Sequence, residues 1–74
     1  MTARQWLEAY ARRLGVDAPT TEEFNVLLDL AAEAAHSSER VAAPVACWLA
    51  ARAQRSPDGA LDLAREIAGA QERE

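Results

Sequence analysis

The sequence predicts an all-α fold: a small antiparallel four-helix bundle, formed as one domain by residues 1–74. Apolar residues recur three and four apart in four segments, the spacing of a helix face. No stretch alternates apolar with polar residues, and β-branched residues are sparse, so no strand pattern competes. Start and stop signals divide the chain into helices at about 3–14, 21–36, 43–55 and 57–70. The connections are short, which favours antiparallel neighbours.

The first helix opens on Thr2, whose hydroxyl is placed to cap it while Gln5, three residues on, reaches back. Ala3, Trp6, Leu7, Tyr10, Ala11 and Leu14 form its expected buried stripe, and Arg4, Glu8 and Arg12 an exposed ion-pair ladder. Gly15 supplies a left-handed stop. Thr20 and Glu23 repeat the capping pattern for the second helix, with Phe24, Leu27, Leu28, Ala31, Ala34 and Ala35 as its stripe. That helix should fade at His36-Ser37-Ser38, because serine hydroxyls compete for backbone hydrogen bonds.

Proline is tolerated only in a first turn, so Pro44 places the start of the third helix between Val41 and Pro44. Val45, Trp48, Leu49 and Ala53 are expected to face inward. Ser56 as cap and Pro57 as first helical residue begin the fourth helix, with Ala60, Leu61, Ala64, Ile67 and Ala68 as its stripe. The charged end, Gln71 to Glu74, is expected to fray.

Half of the residues are apolar, but alanine supplies nearly half of those, so the core is thin. A chain of this size retains only about 3–5 kcal/mol of net stability, which makes self-association or docking on a partner natural. A formal charge of −4, with charges of mixed sign and no lysine, argues against a nucleic-acid surface. The start, MTARQWLEAY, has no apolar signal region, and no segment approaches a membrane span. A cytoplasmic protein without membrane contact is expected.

Few residues offer chemistry. Cys47 is the single cysteine, so neither an internal disulfide nor a cysteine zinc cluster forms, and it reads as a small buried hydrophobe. No Gly-rich phosphate loop and no Ser-His-Asp set occurs, so no catalytic residue, cofactor or metal is assigned and the chain reads as a non-enzyme. Asp29, Glu33, His36 and Arg40 lie four, three and four apart. Glu33 and His36 have the Glu-x-x-His spacing of di-metal bundles, but with one histidine such a site needs a symmetric dimer; a solvated face is the plainer account. His36 and Arg40 at the helix corner before Pro44 suit either a grip on an anion or a partner's carboxylate, or a structural clamp on the end of helix two. Trp6 and Trp48 are expected to anchor the core, or in one case to cap an exposed docking patch.

The strings Leu27-Leu28-Asp29-Leu30-Ala31, Ala35-His36, Arg40, Ala42-Ala43-Pro44-Val45 and Leu49-Ala50 resemble a small actinobacterial domain of unknown function. Trp6 and Leu14-Gly15 fit the same pattern, and the likeness runs from about Trp6 to Ala53. Members of that family stand alone or are appended to nucleotidyltransferases resembling molybdenum-cofactor guanylyltransferases. The resemblance implies a stand-alone module serving molybdenum-cofactor biosynthesis or delivery, with a protein partner such as that nucleotidyltransferase; the missing catalytic set makes the expected module a non-catalytic accessory, and the thin core leaves a homodimer as a further option. It puts His36, Arg40 and Pro44 forward as partner- or ligand-binding residues. Ala51 stands where the family pattern leads one to expect a glycine. The alternative function is a small anionic-ligand-binding protein using His36 and Arg40.

Overall fold

A computed structural model describes residues 1–72, and side chains as far as Ala70. Four helices follow in order: α1 (Ala3–Leu14), α2 (Thr21–Ser37), α3 (Ala42–Arg52) and α4 (Pro57–Glu72); no strand occurs among the described residues. The fold is all-α, as the periodicity predicts.

Both predicted capping boxes form. Thr2 Oγ1 accepts from the Gln5 N–H at 3.1 Å, and Gln5 Oε1 accepts from the Thr2 N–H at 2.8 Å. The same pair of bonds joins Thr20 and Glu23, at 3.1 and 2.8 Å. Each box satisfies two backbone groups locally. Gly15, at φ 79°, ends α1: its N–H bonds to the Arg12 carbonyl and that of Val16 to the Ala11 carbonyl. This is the double bond pattern of a Schellman stop.

α3 ends at Arg52, three residues before the expected 55. The cause is a second Schellman stop: Gln54 N–H bonds to the Ala51 carbonyl and Arg55 N–H to that of Ala50. Gln54 therefore occupies the left-handed region at φ 58°, a conformation that carries a steric penalty for a residue with a Cβ. Ser56 Oγ then accepts from the Gly59 N–H at 3.1 Å and starts α4 at Pro57. That helix runs to Glu72; the expected fraying of the end falls largely outside the described residues.

α2 is the hub, with α3 and α4 packed along it. Glu22, Glu23, Asn25 and Val26 share a cleft with Ser56, Pro57 and Asp58, so α2 and α4 begin at the same end of the molecule. α3, joined to each by a short turn, runs between those two ends in the opposite sense. Leu30, Ala60 and Leu61 form the buried cluster, with Val26, Leu27, Cys47, Ala50 and Ala64 packed against it.

α1 packs extensively on none of the others. It touches the start of α2 through Arg4, whose guanidinium lies 5.0 Å from the Phe24 ring centre and 3.4 Å from Thr21 Oγ1. The expected ladder of Arg4 with Glu8 is thus replaced by a reach across to α2. The molecule is long, 44 × 24 × 18 Å, with a radius of gyration of 13.3 Å. A chain of this length ordinarily has a radius of about 11 Å.

Several expected core positions are corrected by burial. Trp6 (52% exposed) and Trp48 (57%) do not anchor the core, and Val45, Leu49, Leu28 and Ile67 are likewise more than half exposed. α2 buries Leu30, which is outside the expected stripe, because the helix receives α3 and α4 on two sides at once. α3 turns its small residues, Cys47 and Ala50, to α2 and its large ones outward. Residues Val41 to Ala51 are apolar without interruption, so periodicity alone does not select a buried face there.

Candidate functional site: an apolar groove between α3 and α4

The predicted site residues occupy one corner. His36 lies in the last turn of α2, Arg40 in the turn that follows and Pro44 in the first turn of α3; all three are exposed. Among the described residues, neither His36 nor Arg40 makes a side-chain hydrogen bond or ion pair. The serines finish α2 instead: Ser37 Oγ donates to the Glu33 carbonyl at 2.7 Å, and Ser38 Oγ to that of Ala34 at 2.6 Å. Hydroxyls bonding back to a carbonyl four residues earlier are a local alternative to further helix. The Ala42 and Ala43 N–H groups bond to the Glu39 and Arg40 carbonyls, carrying the chain into α3. The corner is thus closed by backbone and serine, without the clamp from Arg40 and His36.

Asp29, Glu33 and His36 stay on α2 without converging: no group of three or more His, Cys, Asp or Glu side chains is placed to hold a metal among the described residues. Cys47 is half-buried against the Leu30 cluster, and burial pushes its thiol above the ordinary value of 9.0. A thiol so shifted is a poorer nucleophile at neutral pH than a free one.

The more informative feature is an open groove of about 380 Å³ between α3 and α4. Ala46, Ala50, Ala53, Ala60 and Ala64 line it with Leu30, while Leu49, Leu63 and Ile67 stand along it. Arg55 is its one charged lining residue among the described residues. Alanine is the reason it forms: methyl groups on both helices leave a shallow, open groove that larger side chains would fill. Trp48 lies on the outer side of α3 with the Arg52 guanidinium 5.2 Å from its ring centre, a cation–π contact on an exposed face. Leu49, Leu63 and Ile67 are 54%, 42% and 63% exposed.

Residue-by-residue reasoning missed this groove. Its signal was present in the uninterrupted apolar run of α3, since a helix apolar on every side is normally covered on every side. Here α2 covers one side only. The folded chain exposes 5955 Å². A typical 8.0 kDa monomer exposes about 4,450 Å².

No curated protein and no solved structure matches the chain. One family model does, over residues 1–74, and its description is a domain of unknown function (DUF6457). The chain therefore belongs to the DUF6457 family.

Proposed function

We propose that this chain is a non-catalytic protein-interaction module whose docking surface is the α3–α4 groove. The observation that carries the reading is the outward display of Leu49, Leu63 and Ile67 around an alanine-lined groove. Contiguous apolar surface of this kind marks interaction sites, and a groove between two helices suits the apolar face of a third. The resemblance described above supplies the context: an accessory to molybdenum-cofactor biosynthesis or delivery, with a nucleotidyltransferase of the guanylyltransferase type as partner. The test is co-purification of the tagged chain from its native host beside a Leu49→Glu/Leu63→Glu variant, both residues lying along the groove. A protein retained by the wild type and lost by the variant supports the reading. Identical recoveries from both count against it.

The exposed corner of His36 and Arg40 favours a second reading, an anionic-ligand site, because both side chains are open to solvent. Titration of nucleotides and phosphate, followed by the His36 and Arg40 side-chain NMR signals, tests it. Shifts that stay flat at millimolar ligand end it.

A further inference from the structure

We infer that the groove is filled by α1 of a second copy of this chain, giving a homodimer in which each copy lends its first helix to the other. The inference rests on the groove being a docking surface, as proposed above, and names its occupant.

The first argument is area. The chain exposes 5955 Å², about 1,500 Å² beyond an ordinary monomer of its mass. Removing that excess from each of two copies amounts to roughly 3,000 Å², within the range of obligate homodimers and well above a crystal-type contact.

The second is fit. Trp6, Tyr10 and Leu14 form an exposed stripe along α1, at 52%, 50% and 58%. The Trp6 and Tyr10 rings lie together, centres 5.0 Å apart, as one broad apolar ridge. From Trp6 to Leu14 the stripe spans about 12 Å along the helix axis, and the groove walls Ala46–Ala53 and Ala60–Ile67 each span about 10 Å. Large knobs thus face a channel walled by methyl groups, the size complementarity that helix packing uses.

The third is charge. α1 carries Arg4, Arg12 and Arg13 against Glu8, whereas α4 carries Asp58, Asp62 and Glu66 against Arg65. Asp62 and Glu66 are exposed beside Leu63, and Arg13 follows Trp6 by two helical turns on the side of the aromatic ridge. These carboxylates lie on the flank of α4 outside the groove, whose own charged lining residue is Arg55; a net-basic α1 beside that flank is favoured over two α1 helices packed on each other.

The fourth is independence. α1 has its own capping box and Schellman stop, and it meets the start of α2 through the two contacts of Arg4 and the packing of Leu7 beside Pro19 and Phe24, with Ala11 buried. Its boundaries are fixed without help from α2, and the exposed stripe of Trp6, Tyr10 and Leu14 takes no part in that contact.

The test is the mass of the full chain in solution by sedimentation at tens of micromolar, with two variants. Trp6→Glu/Tyr10→Glu spoils the donated helix and keeps the groove; Leu63→Glu/Ile67→Glu spoils the groove and keeps the helix. All four residues are exposed in the single chain, and unchanged circular dichroism verifies that each variant folds. The wild type should sediment at twice the chain's 8.0 kDa. Each variant alone should weaken association by at least about a hundredfold. An equimolar mixture should recover a dimer, because the intact helix of one variant meets the intact groove of the other. A monomeric wild type, including one in which α1 closes on its own groove, overturns the inference. So does a mixture that stays monomeric, which signals like-with-like pairing. In either case the proposed docking role still stands or falls separately on the co-purification described above.

Discussion

Replacing Leu30 by alanine probes the centre of the molecule. Leu30 is 3% exposed and is the residue on which α3 and α4 converge. Removing three carbons from a buried site loses about 2.4 kcal/mol of transfer free energy, at roughly 0.8 per carbon. A rigid cavity would add to this, toward the upper end of the 2–5 kcal/mol found for such changes. Leu30 also lines the open groove, so solvent and neighbours can enter the space and the added cost is small. The expected loss is therefore about 2.5–3 kcal/mol, most of the stability of a chain this size. Urea unfolding followed by circular dichroism measures it. With a slope near 1 kcal/mol per molar, the midpoint falls by about 2–3 M, or the variant is largely unfolded in water. Leu28→Ala is the control: the same chemistry at a 55% exposed site of the same helix should cost less than about 1 kcal/mol. Equal costs at the two positions, or a loss below about 1 kcal/mol at Leu30, would refute the burial assignment that organises the fold.

Gln54→Gly should stabilise the protein by about 1 kcal/mol, seen as a higher Tm, because the left-handed φ of 58° no longer opposes a Cβ; Gln54→Ala should give no gain. Thr20→Ala should lower the urea midpoint, at a cost of about 1 kcal/mol, by removing the cap of the hub helix. Thr2→Ala should leave the midpoint of a monomeric form nearly unchanged while speeding amide exchange in α1, since that helix contributes little to the packed unit. The Cys47 thiol should react slowly with alkylating reagents at neutral pH. Its folded value is raised, so its contribution to stability is complete below the ordinary 9.0 and is lost as pH climbs through the folded value. Cys47→Ala should flatten the alkaline fall in stability seen by the wild type, and an unaltered pH slope would contradict the burial.

Helix existence was legible wherever a local signal was complete. Thr2 with Gln5, Thr20 with Glu23, Gly15, and Ser56 with Pro57 each specify a boundary through hydrogen bonds within a few residues, and each boundary formed. The end of α3 was hidden because a glutamine, with no preference for positive φ, holds the stop. The buried face of α3 was hidden too, since residues 41–51 are apolar on all sides and only tertiary packing selects which side meets α2. Assigning tryptophans to the core failed for a related reason: size argues for burial, but not for burial within the same chain. The His36–Arg40 corner was visible as a pair of polar groups beside Pro44, yet sequence carries no information on whether the serines or those side chains close the turn.

The seam of Cys47 and Ala50 against α2 has a consequence for how this sequence tolerates drift. The distance between the two helix axes is set there by side chains of one or two heavy atoms, so any bulkier replacement must push α3 outward along its whole length. Trp48 and Leu49, though far larger, sit where volume is unconstrained from within the single chain. The permitted range of substitution along α3 is accordingly inverted: narrowest at its smallest residues, widest at its largest. A library randomised at these four positions and sorted for folded monomer would recover that inversion directly, and one sorted for assembly would narrow it at Leu49, which lines the groove.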